Sequence, residues 1–198
     1  LRAITLNYTS FLENQLGKGN VIYFHGGLAE YVRMDTRELL EIENLNKLNL
    51  EDFLSSIIKP SIDVTNNNIE EQIHIIPSLV PPLRLKPILS YKYIELWAKA
   101  SEWVQEAEHI VIVGYSFNSA DEHFNDILRN LHPNKKIDII DPGATTDHFK
   151  GRIEKIFGTP ANQFVKNLVQ GKTALKKGSI RLIEAIATDI DIDKLLNS

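Results

Sequence analysis

Apolar residues along this chain gather into short unbroken runs, set between stretches whose apolar positions recur at helical spacing. Ala3 to Leu6 and Val21 to Phe24 are two such runs. Apolar on both would-be faces, they predict strands buried in a parallel sheet. Between them, Tyr8 to Leu16 predicts a short helix that Gly17 and Gly19 end. His109 to Val113 is the strongest strand signal, and Ile137 to Ile140 is the next strand. Ile73 to Ile76 and Ile180 to Ile183 are further strand candidates.

Helical spacing fills much of the rest. Ile94, Trp97, Ala98 and Val104 mark the inner face of a helix over Tyr93 to Ala107. Ser119 and Glu122 have the spacing of a capping box, opening a helix through Leu131. Together with the strands on either side, this is a βαβ module, whose crossover is right-handed by rule. Thr159 and Pro160 read as the start of another helix, with Gly171 at its end. Ile186 to Leu196 reads as a short helix or a tail.

Residues Met34 to Lys59 differ in character. Leu39, Leu40, Ile42, Leu45 and Leu48 predict one helix, capped by Asp35 or Thr36. Phe53, Leu54, Ile57 and Ile58 predict a second, capped by Asn49. Pro60 stops this pair, and Ser61 to Glu71 is a polar loop. Pro77, Pro81 and Pro82 force an extended or turning segment. The expected fold class is α/β, a Rossmann-like parallel sheet with helices on both faces and a helical insertion. The core takes residues 1–33 and 73–185, the insertion and loop 34–72, and a C-terminal tail 186–198.

Composition narrows the function classes. At 198 residues, with 43% hydrophobic and 24% charged residues, the chain suits one α/β domain with a small insertion. The net charge of -4 disfavours nucleic-acid binding through a broad basic surface. The run Lys172 to Lys177 is the best basic patch, read as a solvated helix end. There is no cysteine, so disulfides and Cys-ligated zinc are impossible within the chain, which fits a reducing cytoplasm. No apolar run approaches the roughly 20 residues that span a bilayer. The chain starts at Leu1 and runs straight into a strand signal, so the protein is expected to begin further upstream.

The chemistry-bearing residues stand at the ends of the apolar runs: Asn7, His25-Gly26-Gly27, Gly114-Tyr115-Ser116 and Asp141-Pro142. In an open parallel sheet, strand carboxyl ends share one edge, and ligands bind along it. A glycine at 114 lets the chain turn sharply and lets a phosphate approach the backbone. Ser116 adds a hydroxyl donor. Asp141 can accept from ribose hydroxyls or start an Asp-Pro-Gly turn. His25 is a general base near neutral pH or a structural histidine at a strand end. Asn7 can pair with an amide or a water, or form a turn. The set suits a dinucleotide better than a peptide or a sugar polymer. His74, His109, His123, His132 and His148 lack metal-ligand spacing, and Trp97 and Trp103 read as packing.

Thr5-Leu6-Asn7-Tyr8 resembles the sirtuin motif Thr-Gln-Asn-Ile-Asp, and Phe24-His25-Gly26 resembles the sirtuin Leu-His-Gly with its catalytic His. Gly114-Tyr115-Ser116 is similar to the family's Gly-Thr-Ser turn, and Asp141 falls where sirtuins place an Asn. Ile75-Ile76-Pro77, Lys86, Trp97 and Asp121 look like the bacterial SIR2-like branch, and Asn7-Tyr8-Thr9 also resembles AbiH-type abortive-infection proteins. The resemblance covers roughly residues 3 to 145. The chain departs from the family at Leu6 and Thr9, in the missing zinc cysteines and in the missing Gly-Ala-Gly phosphate loop.

The resemblance implies NAD+ as substrate, no zinc, and cleavage of the nicotinamide–ribose bond. It implies catalytic roles for His25 and Asn7, with Gly114, Tyr115, Ser116 and Asp141 holding the dinucleotide. Water as acceptor makes an NAD+ hydrolase, as in antiphage SIR2-like proteins; acyl-lysine as acceptor makes a deacylase. A non-catalytic nucleotide-sensing or assembly domain is the third reading. A homo-oligomer or an upstream domain are the expected partners, with no membrane, in the cytoplasm.

Overall fold

The architecture comes from a computed structural model that describes residues 1–9, 11–27, 30–33, 37, 39–41, 75–80, 88 and 90–197. The predicted second helix of the insertion, the polar loop after it and Lys86 lie outside the described residues. The chain divides into two compact units, Leu1–Ala100 and Ser101–Ser198.

In the first unit, β1 (Ala3–Thr5) and β2 (Val21–Tyr23) pair in parallel, with Ala3 opposite Val21 and Thr5 opposite Tyr23. Both match the strands expected from the first two apolar runs. The connection between them carries α1 (Phe11–Leu16), shorter than expected at its start. Gly17, at φ 84, turns the chain out of that helix, and the Asn20 amide donates to the Leu16 carbonyl at 2.9 Å.

A second, antiparallel sheet in this unit has the order β4-β3-β5, with β3 (Glu30–Arg33) between β4 (Leu39–Glu41) and β5 (Ile75–Pro77). β4 corrects the helix expected from Asp35 or Thr36 onward. Leu39 and Leu40 satisfy a helical and an extended pattern equally, and pairing with Val32 and Tyr31 decides between them. Pro77 ends β5 at an edge of this sheet, where its missing N–H costs no ladder bond. The core of the unit includes Ile22, Phe24, Val32, Val80 and Tyr93, all almost fully buried.

Helix α2 (Lys92–Glu106) spans the boundary between the units. Its buried stripe runs through Tyr93, Ala100 and Val104, with Trp97 half-buried, while Ile94 and Ala98 are exposed. The helical period is as expected, but the face is rotated from the expected one by about one residue.

The second unit holds one mixed sheet in the order β6-β7-β10-β9-β8. β6 (His109–Val113), β7 (Lys136–Ile140) and β10 (Ile180–Ile183) are parallel; β9 (Lys172–Lys177) and β8 (Val165–Val169) continue the sheet as an antiparallel hairpin. The pleat sends Ile112, Ile137, Ile139, Ile180 and Leu182 to one face, all buried. The crossover helices α3 (Glu122–Arg129) and α4 (Asp147–Phe157) bury Phe124, Leu128, Phe149, Ile153 and Ile156. On the opposite face, Ile140, Ala174 and Ile183 cluster with Ile190, Leu195 and, partly buried, Ile192, the last two from α5 (Ile192–Leu196). Fully burying each of Ile139, Leu182 and Ile183 contributes about 1.5–3 kcal/mol. The observed α/β arrangement, a parallel-containing sheet flanked by helices, is the expected fold class.

Local expectations differ at three places. In place of a Ser119–Glu122 capping box, Asn118 caps a single 3-10 turn at Ser119–Asp121 by accepting from the Ala120 N–H, and α3 starts after Asp121, which makes no side-chain cap bond. The helix expected from Thr159 to Gly171 is instead a 3-10 turn at Ala161–Gln163 followed by β8 and the hairpin turn. The basic run 172–177 is therefore strand β9, not a helix end. The unforeseen helix α4 is framed by Thr146, whose hydroxyl accepts from the Phe149 N–H, and by Gly158 at φ 64. Lys135 closes the carboxyl end of α2 by donating to the carbonyls of Gln105 and, at 2.6 Å, Ala107.

Candidate functional site

The predicted site residues fall in both units. Asn7 and His25 belong to the first; Gly114, Tyr115, Ser116 and Asp141 belong to the second.

In the first unit the parallel pairing of β1 with β2 fixes the rim. Thr5 and Tyr23 are partners, and the Phe24 N–H donates to the Thr5 carbonyl at 2.9 Å, extending the ladder one step. Asn7 and His25 each stand two residues past a partner in that last pair, so both leave the sheet at the same carboxyl edge. Asn7 is exposed, and its N–H donates to the Thr5 hydroxyl at 3.1 Å. His25 is buried, 4% exposed. Its ring lies 6.4 Å from the Tyr8 ring and 5.6 Å, edge-on, from Phe24.

The backbone around His25 is gripped from several sides. The Val80 N–H donates to the His25 carbonyl at 2.9 Å, and the Val80 carbonyl accepts from the Tyr8 hydroxyl at 3.0 Å. The indole N–H of Trp97 donates to the Phe24 carbonyl at 2.9 Å, and the two rings stack 5.5 Å apart. Gly26 sits at φ 85, and a Cβ there would lie 1.8 Å from the Ser78 carbonyl oxygen and 2.7 Å from the Tyr93 hydroxyl. Glycine is required on both counts, conformation and space. Gly27 donates its N–H to the Glu30 carboxylate at 2.9 Å. Burial pushes the Tyr93 hydroxyl up to about 12, so at neutral pH it is a donor. The Tyr23 hydroxyl, raised to about 12 by burial and by its hydrogen bond to Glu13, likewise keeps its proton.

In the second unit Gly114 and Asp141 follow the carboxyl ends of the adjacent parallel strands β6 and β7, and the Gly114 N–H donates to the Ile140 carbonyl at 2.9 Å. Gly114 has φ 61, and the space where a Cβ would stand is open. Ser116 is exposed, and its carbonyl accepts from Arg152 at 2.6 Å. Tyr115 faces inward: it is 8% exposed, and its hydroxyl donates to Asn125 at 2.7 Å. What this turn offers outward is its backbone and Ser116, with the Tyr115 ring serving the core beside Phe117 and Phe124. The Asp141 carboxylate accepts from the Gly143 N–H at 2.7 Å, so one of its oxygens shapes the Asp-Pro-Gly turn.

Ser78, Tyr93, Trp97, Glu30 and Arg152 support these turns without having marked themselves in the sequence as site residues. Of these, Trp97 carried a signal, its helical spacing and its part in the resemblance to the SIR2-like branch, and the spacing points equally to packing. Among the described residues no group of three or more His, Cys, Asp or Glu is placed to hold a metal ion. No described helix is long and apolar enough to cross a membrane.

No family model matches the chain, and no curated protein does. Among solved structures it is similar to a Sir2 homologue in complex with NAD, at 18% identity and a TM-score of 0.45, over 75% of this chain and 50% of that one. A Sir2 enzyme solved for its mechanism and regulation is similar at 19% identity and a TM-score of 0.44, over 71% of this chain and 50% of that one. A Sir2 bound to a p53 peptide and NAD+ is similar at 18% identity and a TM-score of 0.44, over 72% of this chain and 52% of that one. The chain spans about half the length of the solved structures it matches.

Proposed function

We propose that this chain is a Sir2-like NAD+-binding domain that cleaves the nicotinamide–ribose bond, with water as the acceptor. The observation that carries the reading is the register of β1 against β2, which brings Asn7 and His25 out at one strand edge. The segments that resemble the sirtuin Asn and His motifs thus follow the ends of two paired strands, which supports the reading.

In this reading Asn7, exposed at the rim, orients the attacking water or the nicotinamide carboxamide through its amide. His25 takes the proton from a ribose hydroxyl or from that water as the bond to nicotinamide breaks and positive charge develops on the ribose. Hydrolysis yields nicotinamide, ADP-ribose and a proton. The open space over Gly114 admits a phosphate against the backbone, and Ser116 adds a hydroxyl donor. Asp141 keeps one carboxylate oxygen beyond its turn bond for a ribose hydroxyl.

Hydrolysis is favoured over deacylation by the cysteine count of zero, since the zinc module that supports the peptide cleft of deacylases cannot be built from this chain with cysteines. The zinc-free, AbiH-like bacterial branch, an antiphage role in the cytoplasm, and a homo-oligomer or upstream domain as partner belong to the same proposal.

The test is release of nicotinamide from NAD+ by the full-length protein, repeated with His25→Ala and Asn7→Ala. Loss of a general base lowers the rate by about 10²–10⁴-fold. Release unchanged by both substitutions removes these residues from the chemistry. Removal of an acyl group from an acyl-lysine peptide only when NAD+ is present replaces water by lysine as acceptor. NAD+ bound without turnover identifies a nucleotide-sensing domain.

A further inference from the structure

The segment Ser78 to Val80 crosses the edge where β1 and β2 end, and it touches both. The peptide of Val80 is the bridge: its N–H holds the His25 carbonyl at 2.9 Å and its carbonyl holds the Tyr8 hydroxyl, next to Asn7, at 3.0 Å. Whatever fixes this segment therefore fixes the spacing of the two strand ends.

One side chain anchors it. The Tyr93 hydroxyl donates to the Ser78 carbonyl at 2.6 Å and stands 2.5 Å from the Ser78 hydroxyl. With the single Tyr93 proton committed to the carbonyl, the Ser78 hydroxyl is the donor in the second bond. Ser78 and Tyr93 are 0% and 1% exposed, so water does not replace either bond when one partner is lost. The same two groups form the wall against which Gly26 packs, because a Cβ at Gly26 would strike the Ser78 carbonyl and the Tyr93 hydroxyl. The Ser78 N–H is tied in turn to the Glu30 carbonyl at 2.8 Å. The strap is thus held at Ser78 and hands its geometry to His25 two residues on.

We infer that Tyr93 is the positioning residue for His25, acting through Ser78 and Val80 rather than on substrate. The inference rests on the reading of His25 as the proton acceptor. Tyr93→Phe keeps the ring in the core and leaves the Ser78 carbonyl and hydroxyl buried without the phenol. The strap relaxes toward new partners, and the imidazole follows the Val80 peptide. Trp97 acts on the other side of His25 through the Phe24 carbonyl, so the imidazole is displaced rather than released.

The experiment uses the full-length protein as wild type, Tyr93→Phe and Val32→Ala. The last removes apolar packing from a fully buried position of the same unit while leaving the hydrogen bonds of Ser78 and Val80 in place, because a valine side chain makes none. Two quantities are read: the ring C–H resonance of His25, assigned by its loss in His25→Ala, and the kinetics of nicotinamide release. Tyr93→Phe is expected to shift or split the His25 resonance. It is expected to lower kcat by about ten- to a hundredfold, with KM for NAD+ little changed, as for a misplaced catalytic group. Val32→Ala is expected to lower thermal stability while leaving the resonance in place. A Tyr93→Phe protein with the wild-type resonance and kcat overturns the inference, as does a Val32→Ala protein that moves both in the same way. If wild type releases no nicotinamide, the NAD+ reading fails, and the resonance alone still decides whether Tyr93 positions His25.

Discussion

Arg181 on β10 meets Asp138 on β7 side-on, its Nε and Nη2 donating to the two carboxylate oxygens at 2.5 and 2.6 Å. The two residues are register partners in the parallel sheet. His109 completes the cluster, its Nε2 lying 2.7 Å from the Asp138 carboxylate. Asp138 is fully buried in the central part of the sheet, and its hydrogen bonds keep the Arg181 guanidinium above its ordinary value. Breaking such a set from one side leaves a partly buried cation facing a neutral partner inside the sheet. Asp138→Asn is expected to cost about 3–5 kcal/mol. Replacing both partners at once, as Asp138→Leu with Arg181→Met, is expected to cost less than the single change, because no charge is then stranded. Urea unfolding followed in the second unit checks both; a double variant worse than Asp138→Asn contradicts the argument.

The parallel strands were legible as short apolar runs, broken within Ile137–Ile140 and Ile180–Ile183 by only one charged residue each, Asp138 and Arg181. His109–Val113, Ile137–Ile140 and Ile180–Ile183 need no tertiary information beyond that. Helix α4 was equally legible in principle: Phe149, Ile153 and Ile156 lie at i, i+4 and i+7 between a Thr cap and a Gly stop. A helix over 159–171 competes for attention because Thr159-Pro160 has the form of a helix start. The residues that end the strands, Asn7 and His25, stand out for the same reason the strands do. Ser78 and Tyr93 do not, because their role exists only through contacts across 15 residues and through the closeness of Gly26. Nothing local in Ser78 distinguishes it from any other serine before a loop.

Gly26 and Gly114 both have left-handed backbones, at φ 85 and φ 61, yet their surroundings differ. At Gly114 nothing stands within 4 Å of an added Cβ, so only conformation resists substitution. Gly114→Ala is expected to cost about 1–2 kcal/mol. At Gly26 the same methyl would overlap the Ser78 carbonyl at 1.8 Å, backbone that cannot swing aside. Gly26→Ala is expected to exceed 4 kcal/mol or to prevent folding of the first unit, in the range reserved for strain with overpacking. Thermal unfolding of the two variants side by side gives the comparison. Equal losses contradict the steric part of the argument.

Tyr93 carries a pH signature. Its folded-state value of about 12 lies above the ordinary 10.0, with burial the main cause. Between those values the unfolded chain has released the phenol proton and the folded chain has kept it. Stability from this group is therefore complete below pH 10 and is lost as pH rises toward 12. Two units correspond to about 2.7 kcal/mol as an upper limit. Tyr23 is raised in the same direction, so a variant at Tyr93 removes only part of the slope. The loss in unfolding free energy between pH 9 and pH 11 is expected to be smaller in Tyr93→Phe than in wild type. An unchanged slope means that the phenol already ionises in the folded protein.

Gln170 is an unusual residue for its place. It opens the two-residue turn between β8 and β9 at φ 49, followed by Gly171 at φ 79, a pair of positive values that favours Asn-Gly. Its side chain explains the exception. The Gln170 amide donates to the Asp191 carbonyl at 2.8 Å and accepts from the Asp191 N–H at 2.9 Å. Asp191 is in turn the N-cap of α5, its carboxylate accepting from the Lys194 N–H. The turn residue thus fixes the helix that covers one face of the sheet. Asn at 170 suits the left-handed backbone better, by about 0.5 kcal/mol, but its shorter arm forfeits two hydrogen bonds worth about 1 kcal/mol each. The long-range pair wins on these magnitudes. Gln170→Asn is expected to lower stability by about 1–1.5 kcal/mol and to speed amide exchange at Asp191 and Lys194. A Gln170→Asn protein more stable than wild type, with those amides still protected, shows that the turn conformation and not the tie to Asp191 decides this position.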